Sequence, residues 1–281
     1  MNACVACYSG AMKKSTTTAL DTKMEKPKPT ALDTKKTLLE KSQRKNSAVP
    51  LRRAFVQSGS RKDRKGLGPG PLADFVRRHD ALALDLYLLM QAITVNDPYE
   101  VILPAQAWAR MLATRPSVVS RAWARLEERK LIARRREHRR ACITALREDG
   151  LGVAYVHPGA PGDQIEPYLQ LNYAYWLNSW DTKLSLPAKA MLLVALSLPT
   201  EFVLPQEKAP AWYGLSADTV GRGLGELWDD RLLDRQMCFK EAPLSPLGYT
   251  EEIRYRLRAP FFNTRTRPMH AKDAILGGQM S

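Results

Sequence analysis

Cysteine and histidine are scarce in this chain, four of each among 281 residues, and their scarcity excludes several kinds of protein. Cys4, Cys7, Cys142 and Cys238 are too few and too scattered for a disulfide scaffold, so a reduced, cytoplasmic protein is expected. Cys4 and Cys7 have metal-like spacing, but no second close pair completes a zinc site. His79, His138, His157 and His270 form no spaced ligand set, and no cofactor is expected. No uncharged apolar run approaches the length of a bilayer span, which argues against a membrane protein. Met1 to Ala11 lack the basic start and apolar stretch of a secretory signal. Phosphate-binding loops, nucleophile elbows and metal-binding carboxylate clusters are missing too, so no enzyme is expected. Gly221-Arg222-Gly223-Leu224-Gly225-Glu226 has the wrong glycine spacing for a dinucleotide fingerprint, and no strand leads into it.

What the chain has is positive charge, unevenly placed. The net charge is +14, of which residues 1–71 carry +11, residues 72–150 carry +4 and residues 151–281 carry −1. A pI near 9.7 points to a polyanionic partner, nucleic acid first and acidic lipid second. Residues 1–70 are rich in Lys, Thr, Ser and Pro and repeat Thr18-Ala19-Leu20-Asp21-Thr22-Lys23 as Thr30-Ala31-Leu32-Asp33-Thr34-Lys35. Such sequence reads as a disordered basic tail ending at the helix-breaking Gly66–Pro71. It serves either as a polycation that strengthens DNA binding without reading sequence or as a solubilising extension.

Helical periodicity begins near Leu72. Ala81 to Val95 reads as a largely buried helix stopped by Asn96-Asp97-Pro98. A short extended run at Val101-Ile102-Leu103, a helix from Ala105 to Leu112 and a third helix from Ser117 to Lys130 follow. Leu131-Ile132 opens a hairpin that returns through Ala141 to Leu146. A shift of 101 residues repeats this order without a gap between residues 90 and 134. It superposes Met90 on Met191, Leu103-Pro104 on Leu204-Pro205, Arg121 on Arg222 and Leu131 on Leu232. In the second copy Leu232–Lys240 is expected to pair with Glu252–Arg258.

Trp108 to Leu112, followed by Val118 to Ile132, resembles the winged helix-turn-helix family, in which a short helix and tight turn precede a recognition helix and a hairpin wing. The resemblance implies a mainly α fold with small β-hairpin wings: tandem winged helices over 72–150 and 183–260. An aromatic linker at 151–182 would separate them, with tails at 1–70 and 261–281. It also implies the site. Val119, Trp123 and Leu126 face inward, leaving Ser117, Arg121, Ala124 and Glu128 outward with Arg125 beside them. Arg115, Ser117, Ser120, Arg121 and Arg125 would meet the groove, since a guanidinium grips guanine or phosphate in a planar fork. Arg134, Arg135, Arg136, Arg139 and Arg140 would carry the wing onto phosphate or into the minor groove. Arg222 holds the matching place in the second copy among acids that repel phosphate. Aromatics from Tyr168 to Trp180 suit core packing or a subunit contact.

The function these features imply is sequence-specific binding of double-stranded DNA by a transcriptional regulator, associated with nucleoid or plasmid. Tandem winged helices without an effector domain also resemble plasmid-type replication initiators binding repeated sites. A protein-interaction scaffold with a basic anchor is the third reading. A homodimer through the second domain or the aromatic segment is compatible with each.

Overall fold

The computed structural model describes residues 29–44, 46–59, 67–137, 140–160, 166–241, 243–244, 246 and 248–262. The chain opens with α1 (Ala31–Ser42), β1 (Ala48–Arg52), β2 (Gln57–Ser58), β3 (Gly68–Pro69) and α2 (Leu72–Arg77). A first unit follows: α3 (Ala81–Ile93), β4 (Glu100–Ile102), α4 (Ala105–Met111), α5 (Pro116–Glu128), β5 (Ile132–Glu137) and β6 (Arg140–Ala145). After β7 (Tyr168–Asn172), α6 (Ala174–Leu177) and α7 (Trp180–Lys183) comes a second unit. It comprises α8 (Leu186–Ser197), β8 (Glu201–Val203), α9 (Ala209–Tyr213), α10 (Ala217–Asp229), β9 (Leu233–Glu241) and β10 (Tyr249–Leu257). The class is mixed, helices with small antiparallel sheets.

The two units repeat each other in backbone as well as in sequence. Their sheets run β4-β6-β5 and β8-β10-β9, with the hairpin's return strand in the middle each time. α5 and α10 start and end 101 residues apart. Left-handed turn residues fall at the same offset: Ala113 (φ 48°) and Gly214 (φ 65°) after the short helix, then Lys130 (φ 55°) and Arg231 (φ 59°) before the hairpin. Gly214 is required for space as well as for its φ, because a Cβ there would sit 2.8 Å from that of Ala73.

Side-chain caps and prolines set the helix starts. Asp80 and Ser185 accept from the third helical N–H of α3 and α8, Ser216 does the same for α10, and Pro116 opens α5. α3 and α8 are apolar nearly all round and are the two central helices, their residues buried over most of their length. α10 lies so close to α8 that a Cβ on Gly223 would meet the Pro187 carbonyl oxygen at 2.5 Å. Gly225 faces open space, so close packing accounts for only one of these two glycines.

The expected basic tail, residues 1–70, is corrected over residues 29–59; residues 1–28, 45 and 60–66 lie outside the described residues. Thr30 and Asp33 form a reciprocal capping box that starts α1, and Leu39 enters the core. β1 pairs with β7, Val49 opposite Leu171 and Leu51 opposite Leu169, all four buried. Cations of this segment are engaged inside the fold: Lys35 by Asp181, Arg44 by the carbonyls of Gln91 and Thr94, Arg52 by Glu148. The expected linker is corrected for the same reason. Tyr173, Tyr175 and Trp176 are buried, and β7 completes a sheet with a strand 120 residues earlier (Ala48 opposite Asn172 at its edge). One hydrophobic core runs through both units, and Phe261 belongs to it.

Between the central helices lies a buried charged cluster. Lys189 of α8 donates to both oxygens of Asp85 of α3 at 2.7 Å, and the Tyr175 hydroxyl reaches Asp85 at 3.3 Å. Burial outweighs the attraction of Lys189, and nearby Asp181 adds repulsion, so the Asp85 carboxyl is pushed up to about 6.

Candidate nucleic-acid interface

α5 is amphipathic in the way its sequence dictates. Val119, Ala122, Trp123 and Leu126 are buried, and Trp123 meets Trp108 of α4 edge to face at 5.2 Å. Ser117, Ser120, Arg121 and Ala124 are exposed, forming a face of small residues around one arginine. Ser120 donates its hydroxyl to the Pro116 carbonyl at 3.0 Å and keeps its acceptor capacity. Arg115, at the N-cap position, is exposed.

Arg125 departs from the expected role. Its guanidinium donates through Nε (2.7 Å) and Nη2 (2.8 Å) to Asp80, the cap of α3. Arg129 adds a bond to Asp80 at 2.9 Å, another to Asp74 at 2.8 Å, and lies over the Phe75 ring. Burial raises the Asp80 carboxyl, but the bonds and charges of Arg125 and Arg129 outweigh it, and the net shift is downward. Arg125 thus braces α5 against α3. The second unit has the same brace in other chemistry: Glu226, at the Arg125 position, accepts from the backbone and hydroxyl of Ser185, the cap of α8.

On the hairpin, the pleat sorts the arginines. Ile132, Arg134 and Arg136 alternate on the face whose partners Ile143 and Ala145 enter the core, and Arg134 reaches Glu127 of α5 at 2.7 Å. Arg136 follows on that same side, exposed. On the opposite face Arg135 is held by Glu100 at 2.6 Å and Glu137 at 2.5 Å. Arg140, across from Glu137, is exposed, and Arg139 lies outside the described residues. Among the described residues no carboxylate pairs with Arg115, Arg121, Arg136 or Arg140. Among the described residues, the expected arginines of the first unit thus divide into four free guanidinia and three engaged ones, Arg125, Arg134 and Arg135.

The second unit offers a different surface. Arg222 pairs with Asp218 at 2.9 Å, one turn away and in solvent. Where the first hairpin has Arg136 on the side of its long helix, the second has Met237, followed on that side by Phe239, and these are 59% and 66% exposed. Cys238 is half-buried, because this hairpin extends beyond the body. The expected register is close: Leu233 pairs with Leu257 and Glu241 with Tyr249.

The sequence did not single out Asp80 and Arg129, which hold α5 in place. The cap position of Asp80 before the apolar run at Ala81 was the available signal. Among the described residues no group of His, Cys, Asp or Glu side chains converges as a metal site, and no helix is long and apolar enough to cross a membrane. Comparison with family models, curated proteins and solved structures finds no match to this chain.

Proposed function

We propose that the first unit is a winged helix that binds double-stranded DNA, and that the chain is a sequence-specific regulator of transcription. The observation that carries this reading is the pairing pattern of the arginines. Among the described residues more than half of the arginines pair with carboxylates, yet Arg121 on α5 and Arg136 on the adjoining hairpin side are exposed and unpaired. A cation left free beside small side chains suits an anionic groove: Ser117, Ser120 and Ala124 let the helix approach closely while Arg121 reaches base edges. Arg115, Arg136 and Arg140 then serve as phosphate or minor-groove contacts.

The repeated unit favours a second reading, a replication initiator of the plasmid type that binds repeated sites, since two units of one topology share one core. Selection of bound sequences from a random duplex pool, followed by mapping of sites on the parent genome, tests both. A regulator yields promoter sites and an initiator yields an array of direct repeats. If Arg121→Ala binds the selected sequence as tightly as the parent protein, the reading of α5 is wrong.

A further inference from the structure

The hairpin of the second unit carries an exposed apolar stripe and an unpaired edge. Met237 and Phe239 of β9 and Tyr249 and Ile253 of β10 lie on one face, 41% to 66% exposed, and Phe239 meets Tyr249 edge to face at 5.2 Å. This face begins as core at Leu233, Leu257 and Tyr255 and continues outward through Ile253, Met237, Phe239 and Tyr249, with Arg235 opposite Tyr255 and Glu251 opposite Phe239. β10 is flanked by β8 and β9, whereas among the described residues β9 pairs on one side only. β9 is nine residues long, pairs one-to-one with β10 without a bulge, and has no proline, so it lacks those protections of an edge strand. The corresponding strand β5 is shorter and presents Arg134, Arg135 and Arg136 in a row, which repels any copy of itself.

We propose that β9 is a dimerisation strand: two copies of this chain join edge to edge, antiparallel, with Cys238 opposite Cys238. The charge pattern selects the second copy as occupant. In this register Arg235 faces Glu241 of the other copy and Met237 faces its Phe239, each pair occurring twice by symmetry. The two apolar stripes then become continuous across a six-stranded sheet. A slip by one residue sets Arg235 against Lys240 and Asp234 against Glu241, and puts the stripes on opposite faces. Charge and polarity therefore agree in the register that sets Cys238 opposite Cys238. The inference is independent of DNA binding, and so is its test.

The test uses the full chain with Cys4→Ser and Cys7→Ser, leaving Cys238 and the buried Cys142. Sedimentation across a concentration series should show a dimer, and a short bis-maleimide should link it through Cys238. Moving the cysteine to 237 or 239 on a Cys238→Ser background should slow linking in each variant alone, where the two thiols sit diagonally, and restore the parental rate when the two are mixed. Arg235→Glu and Glu241→Arg should each raise the dimer dissociation constant at least about tenfold, because two attractive pairs become repulsive. A mixture of these two charge variants should re-form a dimer of parental affinity, which a merely damaged fold would not do. A monomer at all concentrations, linking centred on 237 or 239, or failure of the charge mixture to recover would each overturn the proposal.

Discussion

The guanidinium of Arg235 lies over the indole ring of Trp228, 4.0 Å from its centroid, at the two positions held in the first unit by Arg134 and Glu127. The link between long helix and hairpin is the same in both units, but it is cation–π in one and an ion pair in the other. Each is partly exposed and worth about 0.5–1 kcal/mol at most. Salt screens two full charges more than a charge and a quadrupole. Double-mutant cycles at low and high salt should show the 134–127 coupling falling toward zero and the 235–228 coupling largely retained. Equal loss of both would remove the distinction.

Arg121 and Arg125 should separate binding from stability. Arg121→Ala is expected to leave the melting temperature unchanged and to cost about 1–3 kcal/mol in discrimination against wrong bases. Arg125→Ala removes two charge-assisted bonds from Asp80 and should cost about 1.5–3 kcal/mol of stability. Asp80 is held below its ordinary value, so its contribution is complete above the unfolded pKa and fades as pH falls through the folded one. Loss of Arg125 should therefore shrink the acid-dependent part of unfolding. Thermal melts and competitive binding assays on both variants check this.

On the hairpin, removing one guanidinium that binds phosphate should lower the logarithmic salt slope of DNA binding by about 0.9. Arg136→Ala with Arg140→Ala should lower it by up to about 1.8. Arg134→Ala with Arg135→Ala should do less, since Glu127, Glu100 and Glu137 already hold those side chains. A larger effect from the engaged pair would mean that DNA draws them off their carboxylates.

Asp85 gives a pH signature of the opposite sign to Asp80. Its folded pKa, about 6, is raised above the unfolded value, so the stability linked to its proton is present below that unfolded value and is lost as pH rises through about 6. Asp85→Asn should flatten the stability profile between about pH 4 and 6. At pH 8 Lys189→Met should cost about 3–5 kcal/mol by leaving a buried carboxylate alone, and less at pH 5, where Asp85 is protonated. Pairing it with Asp85→Leu should restore parental stability or exceed it by about 1–4 kcal/mol. Denaturant melts across pH decide between these outcomes.

What the sequence revealed was local or repeated. The ends of α5 and α10, the hairpins and the inward row Val119, Trp123 and Leu126 follow from periodicity and from the 101-residue echo. What it concealed depended on distant partners. Arg52 reads as one more tail cation until Glu148, 96 residues later, meets it inside the core. Arg125 reads as an outward reader until Asp80 takes it. Composition also misled: Lys-rich and Thr-rich sequence from Thr30 suggested disorder, although Thr30 and Asp33 have the spacing of a capping box. A buried ion pair leaves no periodic trace, because only one member lies in any sequence window.

The single core through both units has a consequence for the history of the chain. A module that shares its interior with a twin has surrendered autonomy: neither half is a portable part, and heat should melt the two together in one cooperative step. In exchange, each outer face is released from the task of keeping its own half folded. A surface can then replace Arg136 by Met237, or Glu127 by Trp228, while the shared interior sustains the fold. Duplication followed by fusion of cores is thus a route by which two surfaces on one scaffold diverge in chemistry.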